Sequence, residues 1–109
     1  MKKWMDEDWE FEIAVTDGEA HDCRLGIETG DTFIFQYGCP DGICPRIMAE
    51  AFVWCEVVRC GGDFTHRGAS EKYAMELRCP CGSIGYRLTA HPINRDENGV
   101  YIGKCERPR

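Results

Sequence analysis

Residues 44–62 read CPRIMAEAFVWCEVVRCGG, and this stretch predicts the central helix of the fold. Proline is favoured at the first helical position, which makes Pro45 the first residue of the helix and Cys44 its N-cap. Six apolar residues recur at helical spacing and form the expected inner face: Ile47, Met48, Ala51, Phe52, Cys55 and Val58. Because two glycines that can adopt left-handed angles follow Cys60, the helix should end near that residue.

Two strand patterns precede the helix. Residues 9–16 alternate between apolar and polar side chains, which is typical of a half-buried strand. Its apolar face consists of Trp9, Phe11, Ile13 and Val15. Residues 32–37 are β-branched and aromatic, apart from one glutamine, and predict a second strand.

Two further strand patterns follow the helix. Residues 73–78 and 84–90 alternate in the same way, and CPCGS at 79–83 forms a connection typical of a hairpin. We expect Pro92 to end the fourth strand, because proline cannot donate a ladder hydrogen bond. Residues 100–102 are expected to add a short edge strand.

The order of elements is therefore β-β-α-β-β. One helix packed on one face of a largely antiparallel sheet is the simplest way to bury these patterns, so we expect an α+β fold with two layers. A chain of 109 residues suits a single domain, which we place at residues 9–109. The polar, acidic residues 1–8 are expected to form a flexible segment.

Charge and composition restrict the function classes. The chain has 13 basic and 19 acidic residues, and its net charge of −6 disfavours binding to nucleic acid. No apolar run is long enough to cross a bilayer, and the first residues lack the apolar core of a secretory signal. We therefore expect a cytoplasmic protein whose eight cysteines are reduced and serve as ligands, nucleophiles or core residues.

Cys79 and Cys81 carry the most specific chemical pattern. Both continue the inward-facing positions of the third strand, so their sulfurs should point to the same side. Two thiolates side by side repel each other unless a proton or cation lies between them, which favours a soft metal ion. A hairpin with two incidental thiols is the alternative interpretation.

Cys44 has a separate argument. An N-cap residue faces unpaired N–H groups and the positive end of the helix dipole, and both favour a thiolate. Cys44 therefore suits either a metal ligand or a catalytic nucleophile, and a thiol that merely fills the cap position is the alternative. If Cys44, Cys79 and Cys81 bind one zinc ion, their sulfurs should lie within about 4 Å of one another.

The remaining cysteines and the histidines receive weaker assignments. Cys23 precedes the second strand and is a candidate fourth ligand, whereas Cys55 lies on the apolar stripe and is expected in the core. No role is assigned to Cys60, and Cys105 is expected to lie at the periphery of the fold. Each histidine is isolated and is expected to be a solvated loop residue: His21, His66 and His91.

Five segments together resemble a small family of bacterial and archaeal cysteine-containing proteins of about this length. They are Cys23, Gly30-Asp31-x-Phe33, Gly42-Ile43-Cys44-Pro45, Gly61-Gly62 and Cys79-x-Cys81. The resemblance runs from about Phe11 to Ala90 and implies no established activity. It directs attention to Cys23, Cys44, Cys79 and Cys81. Where members of the family often have Asp-Gly after the late cysteines, this chain has Gly82-Ser83.

Three functional hypotheses follow. The first is a protein that binds zinc or an iron–sulfur cluster through Cys44, Cys79 and Cys81, with Cys23 as a fourth ligand. The second is an interaction module with inert thiols, and the third is a thiol enzyme with Cys44 as nucleophile and a histidine as base. A homodimer is also expected, because one helix covers only one face of the sheet.

Overall fold

The structure, a computed structural model, describes residues 9–95 and 101–104. The described elements are β1 (Trp9–Asp17), β2 (Thr32–Phe35), α1 (Pro45–Arg59), β3 (Ala74–Arg78), β4 (Gly85–Arg95) and β5 (Tyr101–Lys104), with short 3-10 helices at Ala20–Asp22 and Phe64–Arg67. The predicted α+β fold is confirmed, including the short last strand. The expected flexible segment 1–8 and the position of Cys105 lie outside the described residues.

Four strands form an antiparallel sheet in the order β2-β1-β4-β3, and β5 pairs with the last residues of β4. The two central strands are in register with Phe11 opposite Ala90 and Ile13 opposite Leu88. The chain leaves the sheet at the β2 edge and returns at the β3 edge. The segment that contains α1 therefore crosses from one side of the sheet to the other.

The core lies between the sheet and α1. The predicted apolar face of β1 is buried throughout, and the facing helix residues Ile47, Ala51, Cys55 and Val58 are buried as well. Each large apolar side chain removed from water in this way stabilises the fold by about 1.5–3 kcal/mol. The same core includes three residues from connecting segments that no strand or helix pattern indicates: Ile27, Ile43 and Phe64.

The sequence-based assignment of Phe52 to the inner face is wrong. Its side chain is 39% exposed, and its ring meets that of Tyr37 edge-on, with 6.4 Å between the ring centroids. At 100° per residue, the six buried positions of α1 centre on a direction about 80° away from Phe52. The buried stripe instead continues to Arg59.

The expectation that Pro92 ends the fourth strand is also wrong, because β4 continues to Arg95. Pro92 lies opposite Trp9, the first residue of β1, at the end of that ladder. It also falls between the part of β4 that pairs with β3 and the part that pairs with β5. A missing N–H is tolerated where ladders end, so the strand continues through the proline.

Arg59 is a charged residue within the core, with a side chain only 2% exposed. Its guanidinium lies 4.8 Å from the ring centroid of Phe11 and 4.9 Å from that of Tyr37. It donates hydrogen bonds to the carboxylate of Glu56 and to the backbone carbonyl of Gln36. The buried charge is therefore paired, and it joins the end of α1 to the chain that leaves β2.

Candidate functional site

Cys79 and Cys81 lie in the tight turn between β3 and β4. The N–H of Cys79 donates to the carbonyl of Ile84 at 2.8 Å, and the N–H of Gly82 donates to the carbonyl of Cys79 at 2.8 Å. Gly82 has a φ of 84°, a left-handed angle that costs a residue with a Cβ about 1–2 kcal/mol. These bonds fix the backbone on both sides of Cys81.

The turn brings the two thiols into contact. The sulfur of Cys79 lies 3.0 Å from the sulfur of Cys81. The expectation that both residues continue the inner face of the third strand is wrong for Cys81, because β3 ends at Arg78 and Cys81 lies exposed in the turn. The N–H of Ile84 also points at the sulfur of Cys79, at 3.4 Å. Cys79 is only 4% exposed, whereas Cys81 is open to solvent. The pair therefore consists of one sheltered and one accessible thiol.

The surroundings of Cys81 favour its thiolate. A hydrogen bond from the Cys79 thiol, followed by hydrogen bonds from the N–H and hydroxyl of Ser83, lowers the pKa of Cys81 from 9.0 to about 7. Hydrogen bonds to the charged form of an acid stabilise that form. Cys81 therefore resembles the exposed, electrostatically supported thiols that act as nucleophiles or metal ligands.

Cys44 and Cys23 are both half-buried and pack against the edge of the core. Cys44 is the N-cap of α1, as predicted, and its side chain makes no capping hydrogen bond. Cys23 follows the short helix Ala20–Asp22 and is the C-cap of that helix. The sulfur of Cys44 is therefore not used in capping its helix.

One cavity connects these segments. It has a volume of about 350 Å³, and its lining residues are Asp22, Cys23, Arg24, Leu25, Cys44, Pro45, Arg46, Cys81 and Ser83. The structure thus brings three of the four proposed cysteine ligands to one cavity, and the fourth, Cys79, touches Cys81 from the protein side. The four cysteines come from three separate parts of the sequence.

The thiols do not form a closed metal site. In the described part of the chain, the one set of three candidate ligand atoms mutually within 4.8 Å belongs to Glu19, His21 and Asp22. The 4 Å spacing expected for the sulfurs of Cys44, Cys79 and Cys81 is therefore not met. Only the sulfurs of Cys79 and Cys81 are at contact distance in residues 9–95.

Sequence analysis did not find the cluster of Glu19, His21 and Asp22. The ring of His21 lies 3.3 Å from the Glu19 carboxylate and 3.5 Å from that of Asp22, and all three side chains are exposed. The sequence signal that could have indicated this cluster is the short spacing of an acidic residue, a histidine and a second acidic residue. Together with the eight cysteines, this cluster is compatible with metal binding.

The other described cysteines lie apart from the cavity. Cys55 is fully buried in the core, as predicted, and burial raises its pKa to about 12, so it is an inert thiol at neutral pH. Cys39 and Cys60 are exposed.

The remaining histidines are also away from the cavity. His66 is exposed in the short helix Phe64–Arg67, and His91 lies on β4, 3.4 Å from the carboxylate of Glu12. His91 is thus a half-buried strand residue and not the loop residue expected from the sequence. Within residues 9–95, no histidine nitrogen is hydrogen-bonded to Cys44.

No known protein family, curated protein or solved structure matches this chain. Among residues 9–95 and 101–104, none of the helices combines the length and the apolar character needed to span a bilayer. The function is therefore inferred from the chemistry of the cysteine cavity itself.

Proposed function

We propose that this protein binds a soft metal ion, with Zn²⁺ as the best fit, through Cys79 and Cys81 and with Cys44 and Cys23 as further ligands. The contact between the sulfurs of Cys79 and Cys81, at 3.0 Å, is the observation that carries the proposal. In a tetrahedral site with Zn–S bonds near 2.3 Å, two sulfurs lie about 3.8 Å apart. A small outward rotation of either side chain is enough to admit the ion.

The backbone of the turn supports the same assignment. An N–H group points at the sulfur of Cys79, and Ser83 donates to Cys81. Hydrogen-bond donors of this kind orient thiolate ligands and stabilise their negative charge. Residues that surround the ligands of a metal site commonly have this function. Both sulfurs are thus prepared for one cation.

Cys44 and Cys23 complete the ligand set from across the cavity. Cys44 is the N-cap of α1, and its half-buried side chain makes no capping hydrogen bond and lines the cavity. Since no three sulfurs lie mutually within 4.8 Å in the described residues, binding must draw the cavity walls together. Metal binding and the ordering of this corner of the fold are therefore coupled.

An iron–sulfur cluster is the other cofactor expected from the sequence. Ligands of a cubane cluster bind separate irons, whereas two sulfurs in contact suit a single ion. Purification without oxygen distinguishes the two cofactors, because a cluster gives a visible charge-transfer spectrum and equal amounts of iron and sulfide. Zinc gives a colourless protein and one zinc per chain by elemental analysis.

A competition titration tests the ligand set. Metal-free protein is titrated with Zn²⁺ against a chromophoric chelator, in the original protein and in single Cys→Ser variants. We expect affinity to fall by at least about 100-fold in Cys79→Ser and Cys81→Ser and by less in Cys23→Ser. Cys60→Ser is the matched control, because its thiol is exposed at the far end of α1. Equal losses in the control and in Cys81→Ser would contradict the proposal.

The two competing hypotheses fit the cavity less well. A thiol enzyme based on Cys44 needs a base, and no histidine in residues 9–95 is hydrogen-bonded to that thiol. An inert module needs thiols like Cys55, whereas Cys81 is exposed and has a lowered pKa.

A further inference from the structure

We propose that, when no metal is bound, Cys81 and Cys79 exchange with small disulfides that carry carboxylates. Such a disulfide would bind in the cysteine cavity between Arg24 and Arg46. This redox activity goes beyond the proposed metal binding and does not depend on it. The exchange converts the two thiols into one internal disulfide.

The geometry of the thiol pair carries the proposal. With 3.0 Å between the sulfurs, a further approach of about 1 Å brings them to bonding distance, on a backbone already closed into a tight turn. Cys81 is exposed at the cavity, whereas Cys79 is 4% exposed and lies behind it. An incoming disulfide can therefore reach Cys81 and not Cys79, which assigns Cys81 as the attacking thiol and Cys79 as the resolving thiol.

The reaction proceeds in two exchange steps. The Cys81 thiolate attacks one sulfur of the small disulfide, a bond between Cys81 and that sulfur forms, and the other half leaves as a thiolate. That thiolate takes the proton from Cys79. The Cys79 sulfur then attacks Cys81, the internal disulfide forms, and the second half leaves and is protonated by water. Starting from the Cys81 thiolate and the Cys79 thiol, the protein loses two electrons and one proton, water supplies the second proton, and the small disulfide becomes two thiols.

The cavity selects the class of disulfide. Its volume of about 350 Å³ suits part of a small molecule. Two exposed arginines, Arg24 and Arg46, are among its lining residues, in a protein with a net charge of −6. The acidic residue of the wall, Asp22, faces the ring of His21 at 3.5 Å. Guanidinium groups pair with carboxylates through two parallel hydrogen bonds, so an anionic disulfide is the expected occupant.

Other thiols in residues 9–95 lack this arrangement. Cys44 and Cys23 line the cavity, but Cys79 and Cys81 are the pair whose sulfurs are in contact in this part of the chain. Cys39 and Cys60 are exposed and can form only mixed disulfides with a small molecule unless a second thiol approaches. An internal disulfide is therefore expected at one place.

Peptide mapping gives a direct test. Reduced protein in excess chelator is mixed with glutathione disulfide, quenched with acid at set times and digested with trypsin. Cleavage after Arg78 and Arg87 leaves Cys79 and Cys81 together in the peptide 79–87, apart from every other cysteine. We expect this peptide to lose the mass of two hydrogens. In Cys79→Ser, we expect the same peptide to retain one glutathione on Cys81.

Two controls make the result decisive. The doubly substituted Arg24→Gln/Arg46→Gln protein should react at least about fivefold more slowly with glutathione disulfide and at an unchanged rate with the neutral bis(2-hydroxyethyl) disulfide. Both arginines are exposed, so this variant keeps the fold even if the cysteine variants do not. A reduced peptide 79–87 alongside modified Cys39 and Cys60 would overturn the exchange activity. If the original protein and the double arginine variant react with glutathione disulfide at equal rates, the proposal that the cavity selects anionic disulfides is overturned.

Discussion

The phenol hydroxyl of Tyr86 donates a 2.7 Å hydrogen bond to the carboxylate of Glu50, and this bond joins β4 to α1. Tyr86 is fully buried, so its hydroxyl has been removed from water and needs this partner. The bond lies beneath the first half of the helix whose N-cap is Cys44. It therefore helps to fix the helix against the sheet near the cysteine cavity.

Replacement of Tyr86 by Phe should lower the free energy of unfolding by about 1–2 kcal/mol, because one hydrogen bond to a charged group is lost while the ring stays buried. Burial, followed by the Glu50 carboxylate, raises the pKa of Tyr86 above its ordinary value of 10.0. Because the neutral phenol is favoured in the folded state, this contribution is intact below pH 10 and is lost as the pH rises above it. Urea titrations of the original protein and of Tyr86→Phe at pH 8 and pH 11 measure the loss of stability and its dependence on pH. Tyr37→Phe, an exposed control, should leave stability unchanged at both values.

Cys81 and Cys55 should differ sharply in reactivity. In reduced, metal-free protein, alkylation of Cys81 by iodoacetamide should rise with a midpoint at about pH 7, because its thiolate is stabilised by its neighbours. Cys55 is buried and has a pKa of about 12, so it should react only after unfolding. Mass spectrometry of the tryptic peptides 79–87 and 47–59 follows the two thiols separately. A midpoint near pH 9 for Cys81 would show that the turn does not support its thiolate.

Phe52 and Phe11 are matched residues with opposite environments. Phe52→Ala should cost about 1 kcal/mol or less, because the ring is partly exposed and contacts mainly Tyr37. Phe11→Ala should cost about 3–5 kcal/mol, because this fully buried ring leaves a cavity beneath Arg59. Chemical denaturation of both variants gives the comparison. Similar losses would place Phe52 in the core after all.

Gly82→Ala should lower stability by about 1 kcal/mol and also loosen the thiol pair. There is open space for the added methyl group, so the whole cost comes from the left-handed backbone angle. Gly30 is a matched control, with a φ of 97° and equally open surroundings away from the turn. Gly30→Ala should cost about the same stability and leave zinc affinity unchanged. Equal zinc affinity in both variants would show that the turn geometry does not position the sulfurs.

The homodimer expected from the sequence stays a prediction. Several large apolar side chains are exposed along β2, the following loop and the outer side of α1: Ile34, Tyr37, Phe52 and Val53. β2 is also an edge strand of the four-stranded path, and edge strands can pair with a second copy. Light scattering at increasing concentration should give a mass near twice 12.4 kDa. A monomer mass at the highest concentration would exclude this expectation.

Local patterns were sufficient for most of the fold. Alternation identified β1, and a proline after Cys44 with two glycines after Cys60 located α1 to within a residue or two. The same patterns could not locate the centre of the buried helix stripe, since that depends on the surface against which the helix packs. Phe52 was therefore misplaced. Arg59 was overlooked because its burial requires a backbone carbonyl from a distant residue, Gln36.

The candidate site was predictable only in part for the same reason. The contact between Cys79 and Cys81 is local, so their two-residue spacing was enough to indicate it, although the two cysteines lie in the turn after β3 and Cys81 is exposed. The shared cavity of Cys23 and Cys44 depends on how two loops meet at the end of the sheet, and no sequence spacing encodes that distance. The spacing of about 4 Å expected among all three sulfurs of Cys44, Cys79 and Cys81 was wrong because it assumed a closed ligand shell.

The bond from Arg59 to the carbonyl of Gln36 gives the loop before α1 a fixed length to span. Gln36 is held near the last turn of the helix, whereas Cys44 stands at its first. The 15 residues of α1 rise about 22 Å, and the eight peptide steps from 36 to 44 reach at most about 28 Å. The arginine side chain shortens the span, so the loop need not be fully extended, but each residue removed takes away about 3.5 Å of its reach. The number of residues between Gln36 and Cys44 therefore limits where the start of α1 can lie, and a deletion of several residues there would shift Cys44 away from the cysteine cavity even if every cysteine were retained.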